Sequence, residues 1–443
     1  MKKLDRRTFI KNSTITGVGG ALALSFPGIL KGSPNETINF AVAGVRSRGK
    51  ALSQAIHDTP NTRITYFCDV DDHIIAEHKK FHEENIGYVP KVEKDFRKLV
   101  EYKDIDVIAI ASPEHWHAPM AIMAMEAGKH VYVEKPCSHN PYETELLVRA
   151  QQKYGKLCQM GNQQRSSRTS QLAIKEIGEG IIGSVYYGKA WYSNTRGPIG
   201  TGKRVPVPDY LDWNLWQGPA PREDYRDNIH PYNWHWFKTW GTGEIHNNGT
   251  HEIDICRWAL GVKFPTRATS TGGRLHFKGD DWEYYDTQNA SFEFEGGKLI
   301  TWEGKSCNGH PLHGRGRGSL IHGTEGSILL DREVYILYDL NGNVIKEEKE
   351  GQEGATSTAD TMGYGQLTVN HMHNLANAVR EGETLNAPID DASISTQICH
   401  LGNIAQETGS SLELDSATGR ILNNKKAEEF WKRNYEPGWE LKV

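Results

Sequence analysis

The sequence predicts an α/β protein in two parts: a doubly wound parallel sheet, then an α+β region built on a mainly antiparallel sheet. Three observations predict it. A strand, a glycine-rich turn and a helix occupy residues 38–57. Helix and strand patterns then alternate as far as Met160. From Gly161 that alternation gives way to polar loops, clustered tryptophans and runs of strands. At 443 residues the chain is too long for one ordinary core. The expected divisions are 1–31, 36–160 and 161–443.

Asp5-Arg6-Arg7-Thr8-Phe9-Ile10-Lys11 is a twin-arginine pattern, and a mildly apolar run follows from Ile15 to Leu30. Gly19-Gly20 and Pro27 break that run, which is too short and weak for a stable membrane span. Ala21-Leu22-Ala23 supplies small residues for cleavage. Residues 1–31 are therefore expected to be a twin-arginine signal peptide that sends an already folded protein to the periplasm. That stretch carries six Lys/Arg and one acidic residue, so the remainder is more acidic than the chain's −5. An acidic chain without a basic run argues against nucleic-acid binding. The six cysteines (Cys68, Cys137, Cys158, Cys256, Cys307, Cys399) form no Cys-x-x-Cys pair and mostly sit in apolar stretches, as buried free thiols do.

Ile38–Ala43 reads as a buried strand, Gly44-Val45-Arg46-Ser47-Arg48-Gly49 as the turn, and 50–57 as the helix. Such a turn brings a helix N-terminus to a pyrophosphate. Arg46 replaces the middle glycine of G-x-G-x-x-G, and its guanidinium offers a phosphate contact in place of close backbone approach. Strand 63–68 ends at Asp69, where an acidic residue meets the ribose hydroxyls. A carboxylate there repels a 2′-phosphate and favours NAD, with Arg46 and Arg48 leaving NADP open. Asp69 also suits a helix N-cap. Helices are expected over 74–81 and 92–102, with a weak strand near 87–89. Strand 107–111 ends in Ser112-Pro113-Glu114-His115-Trp116-His117. Helix 118–127, strand 130–133, helix 141–154 and strand 156–160 complete the pattern. Ser112, Pro113, His115 and His117 then lie where cofactor contacts belong. Two histidines one residue apart suggest a metal, but no third ligand accompanies them, so no metal is expected.

Strand 130–133 leads into Glu134-Lys135-Pro136, and the proline stops it. Ligands bind beyond the carboxyl ends of such strands. Lys135 there faces a cofactor or a substrate oxygen, whereas most lysines are merely solvated. Beyond Gly161, Gln164 and Arg165 face the same crevice. A helix over 170–177 and a strand over 184–193 precede an aromatic loop with Trp213, Trp216, Trp234, Trp236 and Trp240. Rings at this density are ordinarily core; Trp236 is singled out as one that suits a sugar face. Asn247 and His251, four apart, share a helical face if the helix starts early enough, and Asp254 follows one turn on. Strands over 266–275, 285–295, 298–303 and 326–330 and helices over 369–381 and 392–409 follow.

The turn at Gly44–Gly49, Asp69, Glu134-Lys135-Pro136 and Asn247-x-x-x-His251-x-x-Asp254 together resemble the Gfo/Idh/MocA oxidoreductases, over nearly the whole chain beyond the leader. The resemblance implies a Rossmann domain with bound NAD, and a C-terminal domain whose large open sheet serves homodimer or homotetramer formation. It implies hydride transfer between nicotinamide and a sugar or polyol carbon. Lys135 would bond the reacting hydroxyl, and His251 would be the general base. Where the dehydrogenases commonly carry aspartate, this chain has Asn247, an amide that orients but cannot balance an imidazolium. Gly44, Val45, Arg46, Arg48, Gly49, Asp69 and Glu134 would hold the cofactor; Gln164, Arg165, Trp236, Asn247 and His251 would meet the substrate.

The expected protein is thus an exported oxidoreductase with tightly bound NAD and a small carbohydrate substrate. One alternative is redox-neutral, NAD-dependent glycoside cleavage by oxidation, elimination and re-reduction. In that branch the strand end departs from Glu-Lys-Pro, so the intact tripeptide favours the dehydrogenase. A second is a non-catalytic binding protein on a degenerate nucleotide-binding frame, encouraged by Arg46 and Asn247.

Overall fold

A computed structural model describes residues 37–351 and 365–443. The expected signal peptide, 1–31, lies outside the described residues. β1 (Ile38–Ala43), β2 (Thr62–Cys68), β3 (Lys91–Glu93), β4 (Val107–Ile110), β5 (His130–Val133) and β6 (Cys158–Met160) form the first sheet. Its order is β3-β2-β1-β4-β5-β6, every pair parallel. The chain reverses its direction of winding between β1 and β4, and a crevice opens at their carboxyl ends.

Alternation along the strands sorts the core into two layers. Phe40, Val42, Val107 and Ala109 pack on one face against Leu52 and Ile56 of the helix Ser47–His57. Ala41, Ala43, Ile108 and Ile110 pack on the other against the helices His117–Glu126 and Pro141–Tyr154. The far end of the chain returns to this sheet. Met372, Leu375 and Ala376 of the helix Gln366–Glu381 join the first layer, and Trp439, Leu441 and Val443 lie against the second.

The sequence expected a helix over 92–102 and a strand near 87–89. Instead β3 is followed by a short helix, Phe96–Leu99. Asp95 breaks the run by accepting the Arg97 N–H at 3.0 Å as an N-cap. β3 is an edge strand of only Lys-Val-Glu, so it carries no apolar pattern to read.

The second sheet has ten strands: β7 (Val185–Ser193), β8 (Arg267–Gly273), β9 (Thr287–Phe294), β10 (Lys298–Lys305), β11 (Arg317–Gly323), β12 (Ser327–Leu330), β13 (Val334–Tyr338), β14 (Val344–Lys349), β15 (Leu412–Leu414) and β16 (Ile421–Leu422). Their order is β14-β13-β12-β11-β7-β10-β9-β8-β15-β16. β7 and β10 pair in parallel and other neighbours run antiparallel. One face buries Ala290, Phe292, Ile300 and Trp302 against Cys256 and Leu260 of the helix Gly249–Leu260 and Ile398 of the helix Ile389–Thr408. Among the described residues no helix is long and apolar enough to cross a membrane.

Candidate active site

A cavity of about 400 Å³ lies at the reversal point of the first sheet, walled by both halves of the chain. At its nucleotide-facing end the turn after β1 is drawn tight. Gly44 has φ +79°, and a Cβ there would lie 2.4 Å from the Ser112 nitrogen after β4. A Cβ on Gly49 would lie 2.1 Å from the Gly44 carbonyl oxygen, so the helix packs directly onto the turn. Arg46, Ser47 and Arg48 line the cavity at that helix N-terminus. Arg46 donates from Nη1 to the Pro231 carbonyl at 3.5 Å.

Asp69, at the end of β2, also lines the cavity. Its Oδ2 accepts the Val45 N–H at 2.9 Å, and its Oδ1 accepts the Val70 N–H at 2.8 Å. The carboxylate therefore fixes the glycine turn itself. Burial pushes the Asp69 carboxyl above its usual range, and these N–H bonds oppose the rise. A close-packed turn, a helix N-terminus and a carboxylate at the second strand fit the pyrophosphate and ribose of NAD. Over this end lies a segment of the second half. The Asp72 N–H donates to the Tyr210 carbonyl at 2.9 Å, the Asp212 N–H to the Val70 carbonyl at 3.0 Å, and His230 Nε2 lies 3.3 Å from Asp71 Oδ2.

Next to that turn, Glu134 is held as a carboxylate in a buried network. It accepts from Arg48 Nε at 2.7 Å, from the Tyr132 hydroxyl at 3.0 Å and from Gln163 Nε2 at 3.1 Å. Burial works against its charge, yet Arg48 and Lys135 keep its carboxyl below the usual range. Lys135 follows β5 and projects across the cavity to the second half, where its Nζ donates to the Asn247 backbone carbonyl at 2.5 Å. That carbonyl is available because the helix breaks: Glu244–Asn247 ends, and Gly249–Leu260 begins two residues later. Asn247 and His251 thus both line the cavity from opposite sides of a break rather than from one continuous helix. Burial lowers Lys135 to about 8, although Glu134 and Glu114 favour its charge. Burial, then the charges of Arg332, Lys135, Arg317 and Arg48, holds His251 well below the usual imidazole range, as a neutral ring.

Several expected contacts lie elsewhere. His115 does not line the cavity; its Nε2 is 2.9 Å from the Trp216 carbonyl oxygen. His117 does line it, but its ring nitrogens are occupied by the carbonyl oxygens of Pro136 and Ser112 at 2.6 and 2.7 Å, clamping the ends of β4 and β5 together. Val45 is buried, with its N–H on Asp69. Gln164 donates to the Asp331 carbonyl at 3.1 Å, and its neighbour Gln163 reaches the cavity instead. Arg165 turns into the core, paired twice with Asp254 at 2.7 and 2.8 Å and once with Asp391 at 2.7 Å. Trp236 is stacked on Trp282, ring centres 4.1 Å apart, away from the cavity. Trp234, His235 and Tyr232 form the aromatic wall, Trp234 and His235 stacked at 3.6 Å. Ser112 and Pro113 line the cavity as expected.

Sequence reasoning missed Glu114, Tyr192, Arg196 and Arg332, all of which line the cavity. Glu114 had a visible signal, since it shares the loop after β4 with Ser112 and Pro113. Arg332 had none, because it reaches the site only through the register of the β12–β13 hairpin. Among the described residues no group of three or more His, Cys, Asp or Glu could hold a metal ion.

Residues 38–162 match the family model described as "Oxidoreductase family, NAD-binding Rossmann fold" of GFO_IDH_MocA. Residues 209–414 match its companion, "Oxidoreductase family, C-terminal alpha/beta domain". Among curated relatives, glycosyl hydrolase family 109 protein 2 of Shewanella sp. (strain ANA-3) is 24% identical over 358 residues, 74% of each chain. Among solved structures, a levoglucosan dehydrogenase in complex with NADH and levoglucosan superposes with a TM-score of 0.65 at 20% identity, over 85% of this chain and 99% of that one. The WlbA dehydrogenase from Bordetella pertussis, in complex with NADH and UDP-GlcNAcA, gives 0.63 at 18% identity, over 86% and 99%. At these identities the structural likeness speaks for the fold.

Proposed function

The chain belongs to the Gfo/Idh/MocA oxidoreductase family, with an NAD-binding Rossmann domain, and from that premise we propose that it is an exported oxidoreductase transferring hydride between a tightly held NAD(H) and a hydroxyl or carbonyl of a sugar or sugar derivative. One observation carries the reading: an ammonium, Lys135, and an imidazole, His251, line the same cavity as the nucleotide turn. Bound nicotinamide supplies the hydride acceptor. The chain's own groups handle the proton and the orientation. Lys135, lowered by burial to about 8, donates to the reacting oxygen as an ammonium and can steady an alkoxide, with neutral His251 as the group that accepts the proton. His251, kept neutral, offers the hydroxyl a hydrogen bond, and Asn247 orients without adding charge. Trp234 and Tyr232 suit the C–H face of a sugar ring.

Tight retention follows from the reading of Arg6-Arg7 as an export signal, because a cofactor lost outside the cytoplasm is not replaced. The segment running through Tyr210, Asp212 and His230 over Val70–Asp72 supports it. Denaturing the purified protein and assaying the supernatant should release stoichiometric nicotinamide; a clean apoprotein that still turns over sinks the reading. A panel of sugars and polyols, watched at the absorbance of the bound nicotinamide, identifies the substrate.

A second reading is kept alive by the name of the curated relatives: NAD-dependent glycoside cleavage without net redox change. Sustained aglycone release from aryl glycosides, with the nicotinamide absorbance unchanged, would select it.

A further inference from the structure

We propose that Glu244 is a positioning residue for Lys135: it builds the helix break after Asn247 and so fixes the backbone carbonyl to which the lysine donates. What the break does for catalysis rests on the hydride-transfer reading of the same cavity; that Glu244 builds it does not.

An uninterrupted helix would engage the Asn247 carbonyl with the His251 N–H, four residues on. Here the His251 N–H donates to the Asn248 carbonyl at 3.1 Å, and Asn248, at φ −118° and ψ −39°, departs from helical geometry. The Asn247 carbonyl is thereby left for Lys135 Nζ at 2.5 Å. One residue earlier, the His246 carbonyl accepts the Thr250 hydroxyl at 2.8 Å.

Glu244 supplies the cause of the departure at Asn248. It stands in the first turn of Glu244–Asn247, is 5% exposed, and does not itself line the cavity. Its Oε1 accepts from Asn248 Nδ2 at 2.5 Å and from Asn247 Nδ2 at 3.4 Å, so both amides at the break are drawn back over the preceding turn. Asn248 Oδ1 in turn accepts from Arg317 Nη1 at 3.3 Å, and Arg317 Nε is paired with Glu252 Oε1 of the next helix at 2.7 Å. The side chains of Glu244, Asn248, Arg317 and Glu252 thus span the gap where the backbone ladder is interrupted. Oε2 of Glu244 is anchored separately, by Arg196 Nε at 2.8 Å and the Ser306 hydroxyl at 3.0 Å. Burial works against the Glu244 charge, yet Arg196 and these donors hold its carboxyl below the usual range. Four donors converge on two oxygens, which suits a carboxylate; a glutamine would set donor against donor on one side.

The test reads Lys135 directly and needs no substrate. In the full chain, with its nucleotide bound, isotope-labelled lysine side chains are followed by NMR across pH, and the Lys135 signal is the one lost in Lys135→Met. A hydrogen bond to the ammonium favours the charged form, so a lysine deprived of its carbonyl titrates lower. Asn248→Ala cuts the link without changing any charge, and the Lys135 midpoint should fall by about one pH unit, an amine fraction about tenfold larger on the acid side. Glu244→Gln should lower it too, and the double variant should add little, because both substitutions break one chain of contacts. Lys135 also faces Glu134, Glu114, Arg332 and Arg48, none of which is altered. The charge of Glu244 also acts on Glu114, so the neutral Asn248→Ala is the deciding variant. If it does not fold, Asn248→Leu, of similar shape without the amide, is read in its place. An unmoved midpoint, or falls that simply add in the double variant, overturns the role of Glu244 and leaves the dehydrogenase reading intact. Absence of nicotinamide from the native protein strikes that reading and not the positioning.

Discussion

Lys135 and Asn247, 112 residues apart, meet through a backbone carbonyl: Nζ donates to the Asn247 oxygen at 2.5 Å, where the helix Glu244–Asn247 stops. The side-chain Oδ1 of Asn247 lies farther, at 3.4 Å. What ties the two halves of the site together is thus the helix break, more than the identity of residue 247. A last-turn carbonyl left open by a broken helix is a ready partner for an ammonium.

Replacing Lys135 by Met should therefore lower single-turnover rates by about 10²–10³-fold, the usual loss when one donor to a developing oxyanion is removed. Nucleotide content should hold, because the turn at Gly44 and Asp69 is untouched. Lys135→Arg should not rescue, since a planar fork cannot replace a compact ammonium in the same space. Absorbance of the bound nicotinamide under a pulse of substrate gives the rate, and supernatant assay after denaturation gives the content.

Arg165 separates a binding role from a structural one. The sequence placed it with the substrate, but it lies 5% exposed between Asp254 and Asp391. Arg165→Met should destabilise the protein by about 3–5 kcal/mol, because Asp254 is left as a buried charge without its main partner. It should leave the KM of whatever sugar is turned over unchanged at a temperature where the variant is folded. A raised KM with an unmoved melting temperature would return Arg165 to the substrate side.

The contrast shows what the chain discloses by its order alone. The first sheet was legible because period and punctuation agree there: β1, the Gly44 turn, Asp69 and the Lys135-Pro136 stop follow in the order that the fold requires. β11, β13, β14, β15 and β16 went unread: Arg317–Gly323 carries glycine at both flanks, Val344–Lys349 is all charged after its first two residues, and Leu412–Leu414 and Ile421–Leu422 are too short to show a period. In the site, residues fixed by local chain direction, such as Ser112, Glu134 and Lys135, could be placed. Gln163 and Gln164 could not be told apart, because the short turn Gln163–Ser166 decides which one faces the cavity. Trp234 and Trp236 differ for the same reason, both lying in the turn Asn233–Trp236 with its three-residue period.

That pair gives the next expectation. Trp234→Ala removes a ring from the cavity wall and should raise KM roughly threefold to tenfold, the worth of one aromatic contact. Trp236→Ala opens a hole beneath Trp282 and should cost about 3–5 kcal/mol, with little change in KM. Paired thermal melts and saturation curves on the two variants decide it. A KM effect from Trp236 alone would mean that the cavity wall has been assigned to the wrong ring.

Acid should unfold this protein earlier than its carboxylates alone predict. Burial holds His78, His115, His235 and His246 at about 3, and His82, His130 and His371 at about 4. In the unfolded chain these rings titrate near 6.5, so below that pH the unfolded state binds more protons than the folded one. Their contribution is complete above about 6.5 and drains away as pH falls toward 3–4. Glu114 and Asp69, raised by burial, act in the opposite sense and offset part of the loss. The net expectation is a melting temperature that falls steadily from pH 7 to pH 4. His82→Leu should make that fall shallower, since Nε2 of His82 is sealed without a partner and the ring edges onto Phe67. A melting temperature flat between pH 7 and pH 5 would show that these rings are protonated, and therefore hydrated, in the folded protein.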